Sequence, residues 1–421
     1  MKKKLFYGWW IVLASSLICL LGYGTWLYGF GVFFKPMAAE FGWSRALVAG
    51  AYSLRSVEGG IAGPLVGWAV DKFGSRVVIQ WGAVISGTGF ALMYFVDSIL
   101  GFYLVYAVWL SVGMSAMLYI PSDALIVRWF DRRLSFALAV VTAGVGMSGL
   151  ICTPLLSWLL LRVGWRYAFI TVGIVVWVVV LPLSLLIKNR PEEVGLKPDG
   201  EVADGELENR ARTAGKALRS TDRFPAEYTL TQALRSRLFW VLACAFGFAL
   251  MSHAVVTVHT IPALTDVGIS PQKAAFAFGM IIFVSIAGRL LFGYLGDLWD
   301  IRYLFVAAYC LQGAGILVLM NARDLASVSL FIALFGVGFG ATVPLMPAIR
   351  RGYFGLKAFA KIQGFMTPII LFFSALGPIA AGYVFDVSGS YRWGFLLVAI
   401  TMFLAALMLL LLLPSKDRLA R

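Results

Sequence analysis

Arg289 stands in an apolar stretch, Phe276 to Leu295, that holds no other charged side chain. A charge in such surroundings costs about 3 kcal/mol or more unless something satisfies it. A guanidinium presents a planar fork of donors that fits a carboxylate, so the chemistry Arg289 suits is capture of an organic anion. The competing reading is an ion pair with an acid on another segment, since no acid lies within a turn of it on its own. Arg55 and Glu58 lie three residues apart and so share one helix face. They read either as a self-neutralising pair or as a second substrate contact, Arg55, beside a proton carrier, Glu58. His253, Thr257 and Thr260 fall on one face of another stretch, with His259 further along. Each histidine can carry a proton or simply bond a neighbour. Ser111, Ser115, Tyr119 and Ser122 form a polar stripe on an otherwise apolar segment, and Tyr119 can donate to a carboxylate. Tyr23 and Tyr28 are aromatic candidates for the wall of the same site. Helix packing is the alternative for each tyrosine.

None of these groups is arranged for covalent chemistry. His253 and His259, the only histidines, have no acid at metal-ligand spacing. Cys19, Cys152, Cys244 and Cys310 are far apart in apolar segments, without a C-x-x-C pair, and read as small buried hydrophobes. No enzyme, metal or cofactor is expected.

The elements that must position these residues are membrane-spanning helices. Of 421 residues 61% are hydrophobic and only 13% charged, against about 25% charged in soluble domains. Such a chain cannot cover its apolar surface in water, so its solvent is a bilayer. The apolar runs are too long for the alternating strands of an outer-membrane barrel. Twelve helical spans are expected, at roughly 6–34, 46–70, 77–96, 101–127, 134–159, 167–187, 237–263, 273–295, 303–321, 325–349, 362–384 and 393–413. The basic start Met1 to Lys4 leads into a stretch too long for a signal peptide and without a convincing cleavage site, so it reads as the first span. One long polar segment with mixed charge and several Gly and Pro residues divides the chain. The expected organisation is an N-terminal six-helix bundle, 1–187, a linker, 188–236, and a C-terminal six-helix bundle, 237–421.

The net charge of +14 is a topology signal rather than a nucleic-acid footprint, because no basic stripe with interleaved aromatics exists. With the N-terminus placed inside, 26 of the 35 Lys and Arg residues fall in inside segments and 7 in outside ones. Both termini and the linker are therefore expected in the cytoplasm of a plasma or bacterial inner membrane.

The halves repeat one another. Gly67, Asp71 and Arg76 recur as Gly293, Asp297 and Arg302, Gly42-Trp43-Ser44 as Gly268-Ile269-Ser270, and Arg166 as Arg392, all at one offset of 226 residues. Two parallel six-helix repeats place a substrate site between them near mid-membrane. Arg289 lies 8 residues before Asp297, hence about 12 Å from the cytoplasmic end of its helix and near that level. The carboxylates of Asp71 and Asp297 can cap a neighbouring helix or pair with arginine, and so latch one conformation. The expected latch comprises Gly67, Asp71, Arg76, Asp297 and Arg302, with Asp123 and Arg128 paired at the inner gate.

The segment Gly67-Trp-Ala-Val-Asp71-Lys-Phe-Gly74-Ser-Arg76 resembles the signature of the major facilitator superfamily. Tyr7-Gly8-Trp9-Trp10, Gly31-Val-Phe-Phe-Lys35, Arg128-Trp-Phe-Asp-Arg-Arg-Leu134 and the glycines 144, 146 and 149 resemble its monocarboxylate porter and oxalate/formate antiporter branch, over nearly the whole chain except the linker. The resemblance implies the major facilitator fold and places the branch's substrate-binding arginine at Arg289. It also implies departures: Ser285 stands where the mammalian-type porters carry an acid, Tyr28 where they carry a lysine, and the eleventh span lacks the antiporter's basic residue. A doubly charged substrate is thereby disfavoured, and Glu58 or His253 is left to couple protons. The helix 5 glycine motif also lacks the Gly-Pro pair common in drug/proton antiporters.

The sequence thus predicts a twelve-helix carrier working by alternating access, moving a monocarboxylate-type anion with a proton. The substrate site would draw on Arg289, Tyr119, Tyr28, Arg55, His253 and Ser115. The alternative is an exporter or antiporter of drugs or hydrophobic organic acids. The expected partners are a small organic anion, a proton and the lipid bilayer, with the protein a monomer.

Overall fold

The computed structural model describes residues 6–43, 45–200 and 227–412, and they are helical with no β-strand element. Twelve segments cross the molecule. α1 runs over 7–41, α2 is Arg45–Phe73, α3 Ser75–Leu92 and α4 Ile99–Trp129. α5 (134–163) and α6 (165–186) are two helices, 53 residues in all, joined directly at a kink on Gly164, where φ is 75°. About 80 Å of helix is far too long for one crossing, so the chain turns back there without a loop. Then follow α7 Arg237–Asp266, α8 Pro271–Leu298, α9 Ile301–Met320, α10 Leu325–Phe354, α11 Phe359–Ser388 and α12 Tyr391–Leu412. The expected boundaries lie within a few residues of these except at the ends of α1, which continues past 34 to Phe41, and of α10, which continues past 349 to Phe354 and takes Arg350 and Arg351 into the helix. Large apolar side chains such as Ile61, Leu65, Phe276, Phe372 and Leu411 stand exposed on the outside. Water would penalise that surface and hydrocarbon does not.

Each half has its own core. Phe90, Phe102, Tyr106, Trp129 and Phe130 fill the first, and Phe246, Phe305, Tyr309, Phe331 and Phe335 the second. The sequence repeat is visible in space. Arg166 donates to the carbonyls of Tyr94 (3.2 Å) and Val96 (3.4 Å), tying α6 to the end of α3. Arg392 donates to Asn321 (2.8 Å), tying α12 to the end of α9. Arg166 also bonds Glu40 at the end of α1, which holds that carboxylate below its usual range.

The halves meet on the side where the linker lies. Along α2, Gly67 touches the backbone of Ala360, Gly63 that of Gly364, Gly60 reaches Pro368 and Gly59 reaches Leu371. Across the pseudo-two-fold axis, Gly293 of α8 touches Ala139 and Ser135 of α5, and Gly146 faces Ile286. These contacts all lie within about 21 Å of the linker-side helix ends. Small residues let the backbones approach closely, the usual way for helices to associate in lipid. Ala348, Phe359 and Ala360 of the second half accordingly join the core of the first. Among the described residues, then, the protein is closed toward the linker side.

A side chain at Gly67 would overlap Ala360 in this form. Gly67→Trp should therefore hold the linker side open, shifting the equilibrium by about tenfold or more. In a chain with the four native cysteines replaced by alanine, thiol labelling at Ala348→Cys should accelerate correspondingly. An unchanged labelling rate would show that the Gly67 contact does not close this side.

Candidate substrate-binding site

Arg289 is buried where α5 and α8 cross, 4% exposed. Its Nη1 donates to the backbone carbonyl of Thr142 on α5, a bond between the two halves, while its Nε has no hydrogen-bond partner. The guanidinium lies 5.8 Å from the centre of the Phe339 ring of α10. Tyr28 and Tyr23 of α1 and His253 of α7 are the titratable groups that face it. Among the described residues no carboxylate pairs with it, and Ser285, one turn before it, bonds back to Ile282 (2.6 Å). The alternative of a structural ion pair therefore finds no partner here.

Local sequence explains how the wall is shaped. α1 changes at Gly24–Tyr28 into a π-helical turn that ends on Tyr28, between Gly24 and Gly29. Gly149 of α5 leaves room for the Tyr28 ring, since a Cβ there would lie 3.3 Å from it. In α4 the helix breaks at Leu118 (φ −101°, ψ −97°), between Met117 and Tyr119. Pro121 has no N–H to give the Met117 carbonyl, and its ring crowds that carbonyl, which accounts for the break. Tyr119 comes directly after it and is half-buried.

The remaining expected residues separate. Ser115 is half-buried and donates to Glu58 Oε2 at 3.3 Å, joining α4 to α2. Ser111 and Ser122 do not face the site as the stripe implied: both are buried, Ser111 on the Tyr106 carbonyl (3.2 Å) and Ser122 against Cys19 (3.5 Å). The Leu118 break changes the register of the stripe between Ser115 and Ser122, and Ser111 turns to the Tyr106 carbonyl of the π-helical stretch before it. His253 is half-buried and shares a hydrogen with Gln312 of α9 (2.8 Å), its ring 4.3 Å from that of Phe339. His259 is held on the Pro378 carbonyl (3.0 Å). The side chain of Arg55 lies outside the described residues.

Below this site the halves are latched by charge. Asp297 of α8 accepts from the backbone N–H groups of Ser135 (2.7 Å) and Phe136 (3.1 Å), the first turn of α5. Asp71 of α2 accepts from Lys361 N–H (3.1 Å), the first turn of α11. Each carboxylate thus caps a helix start of the opposite half, where unpaired N–H groups and the helix dipole favour an anion. Arg128 pairs with Asp71 (3.6 Å) rather than with Asp123. Arg76 bonds through its backbone N–H to Asn189 (2.9 Å), and Arg302 donates to Tyr303 (2.9 Å). Three contributors were not read from the sequence. Arg351 bonds the Phe130 carbonyl and Asp131 across the halves, Gln363 of α11 donates to Asp123 of α4 (2.7 Å), and Arg350 is buried beside them. Gln312 and Gln363, lone amides in apolar spans, were the signals available; Arg350 and Arg351 looked like loop charge.

The family model for the Major Facilitator Superfamily matches residues 13–264 and 253–421. The chain belongs to that superfamily. Monocarboxylate transporter 12 of Mus musculus is 25% identical over 96% of this chain and 85% of its own length. Monocarboxylate transporter 13 of Bos taurus is 26% identical over 97% and 89%, and the transporter YcxA of Bacillus subtilis 24% over 91% and 90%. The fold matches the human organic anion transporter MFSD10 with a TM-score of 0.70 at 16% identity, covering 95% of this chain and 98% of that one. It matches the proton:xylose symporter XylE with 0.72 at 16% identity, covering 97% and 96%. The protein is thus a multi-pass membrane transporter.

The capping bonds carry a test. Asp71→Asn and Asp297→Asn each remove a charge-assisted cap worth about 1 kcal/mol, so each should shift the equilibrium toward the linker-open form by about fivefold. Being far apart, their effects should multiply. Labelling at Ala348→Cys reads the shift; equal rates in all three chains would rule out the capping role.

Proposed function

We propose that this transporter carries monocarboxylate-type organic anions, with Arg289 receiving the carboxylate. The observation that carries the reading is a buried guanidinium at the meeting of the halves with no carboxylate of its own among the described residues, hydrogen-bonded only to a backbone carbonyl. A carboxylate is a stronger acceptor than that carbonyl and can replace it in two parallel bonds. Tyr119, Tyr28, Ser115, His253 and Arg55 would complete the site, and Phe339 would offer an apolar face to the rest of the anion. The relatives named monocarboxylate transporters support the same class.

Arg289 would also couple binding to movement. Its bond to Thr142 joins α8 to α5 in the form closed toward the linker. Substrate that takes over the guanidinium loosens that crossing and favours opening on the linker side, which is what alternating access requires. Proton symport is the favoured mode, since a co-transported proton offsets the charge that the anion brings into hydrocarbon. Glu58, which accepts from Ser115, and His253, hydrogen-bonded to Gln312, are the candidate carriers. The positive-inside bias puts the linker side in the cytoplasm of a plasma or bacterial inner membrane, and one chain forms the complete pathway. Export of hydrophobic acids or drugs is the second reading, and the aromatic wall would permit it.

The test is saturable uptake of labelled lactate, pyruvate and benzoate into proteoliposomes, above the leak into protein-free liposomes, with and without an inward proton gradient. Gradient-stimulated uptake is expected. Arg289→Ala should remove it while the purified protein keeps its thermal stability, and Arg289→Lys should restore only a fraction, because a point charge lacks the fork. Uptake by Arg289→Ala at the parent rate would sink the assignment. Glu58→Gln should weaken the gradient response; an unaltered response would take Glu58 out of the coupling.

A further inference from the structure

Arg350 is fully buried at 0% exposure; its guanidinium lies against the Tyr119 hydroxyl, and among the described residues no carboxylate bonds it. It lies four residues before the end of α10, so about 7 Å closer to the linker side than Arg289. The charged and polar groups that face it belong to the other half: Asp123 and Tyr119 of α4. Phe246 of α7 and Phe359 of α11 flank the guanidinium, each ring centre 5.7 Å away. The Asp123 carboxylate is itself held by Gln363 of α11 at 2.7 Å. A guanidinium buried among aromatic rings, with a counter-charge that it does not hydrogen-bond, is costly to maintain. A residue needed only to close the gate would be expected to bond a strong acceptor, as Arg351 does on the Phe130 carbonyl and Asp131 one residue later.

We propose that Arg350 is a second carboxylate-binding site, on the release path toward the linker side, which Asp123 occupies electrostatically while that side is closed. The inference rests on the carboxylate reading of Arg289. Asp123 travels with the first half, and Arg350, Gln363, Phe246 and Phe359 with the second. When the halves part on the linker side, α4 withdraws Asp123 from Arg350. The guanidinium is then left in the opening cavity without a counter-charge, one to two helical turns below Arg289, where a departing substrate carboxylate meets it. Tyr119, on the α4 break between the two levels, can donate to the anion on the way. Substrate and Asp123 thus compete for one cation. While the anion stays, Asp123 cannot return and the gate cannot close; once the anion leaves, Asp123 returns and the carrier resets. The two cations serve one carboxylate in succession, which fits a singly charged substrate.

The experiment uses the full chain held open on the linker side by Gly67→Trp, with labelled benzoate as the probe and equilibrium binding to the purified protein as the readout. Opening is verified beforehand by labelling at Ala348→Cys. In this background Arg350→Gln should weaken benzoate binding about tenfold and Arg350→Lys should lie between, while Asp123→Asn, whose carboxylate is already withdrawn, should change it little. In the chain without Gly67→Trp, where Arg350 is sealed, Arg350→Gln should not weaken binding. Benzoate bound equally well by the open chain with and without Arg350→Gln, yet lost with Arg289→Gln, would overturn this inference and leave the carboxylate reading standing. No benzoate, lactate or pyruvate binding to the open chain with both arginines intact would overturn that reading, and this inference with it. Should Arg350→Gln not yield folded protein, Arg350→Lys in the same open background decides: an affinity equal to that of the open parent would overturn the proposal.

Discussion

A guanidinium kept inside a bilayer with no carboxylate of its own among the described residues is the constraint around which this molecule is organised. Hydrocarbon penalises the charge, so Arg289 must be sheltered at a helix crossing and offered whatever acceptors the fold can supply. Here that acceptor is the backbone carbonyl of Thr142, a neutral partner on the opposite half. The bond is good enough to hold α5 against α8 and weaker than the one an anion can make. On the proposed reading, a residue fixed this way would be both a site and a sensor of its own occupancy. The glycines at the same crossings, Gly146 and Gly293, let the halves come close enough for the arrangement to form.

The closed side depends on a second use of the same electrostatics. Asp71 and Asp297 cap the first turns of α11 and α5 by the same geometry in each repeat. The N–H groups at those helix starts have no intrahelical partners, so the carboxylates satisfy donors that would otherwise need water. Such bonds give way when the halves part and water enters, which suits a gate better than a permanently packed apolar seam. The repeat is imperfect, and the differences are informative. Arg289 stands at the position of Gly63 in the first half, where α2 and α11 pass at backbone contact. At this level one crossing is steric, and its counterpart carries the charge.

Much of this was legible in the sequence because the bilayer imposes simple rules. Long apolar runs must be helices, charges within them must have reasons, and a constant offset between Asp71 and Asp297 must mean a repeat. Arg289, the two carboxylates, and Ser115 with Glu58 could be singled out on those grounds. What could not be read depends on partners from other helices. That Arg128 pairs with Asp71, leaving Asp123 to Gln363 and Arg350, follows from the packing of α4 against α10 and α11, to which linear spacing gives no access. Ser122 misled because the stripe assumed a regular helix, whereas α4 breaks at Leu118, and Ser111 because it bonds back to the π-helical stretch before it. Arg350 and Arg351 passed for loop charges because α10 runs five residues beyond the end of its most apolar stretch.

The account turns on the charge of the substrate. Its most direct test is competition in proteoliposomes between labelled benzoate and two matched series: the carboxylates lactate, pyruvate and benzoate, and their neutral amides. The carboxylates should inhibit uptake saturably, and each amide, alike in shape but unable to replace the Thr142 carbonyl with a charged acceptor at Arg289, should inhibit at least about tenfold more weakly. Amides that compete as well as their acids would contradict the claim that Arg289 selects an anion.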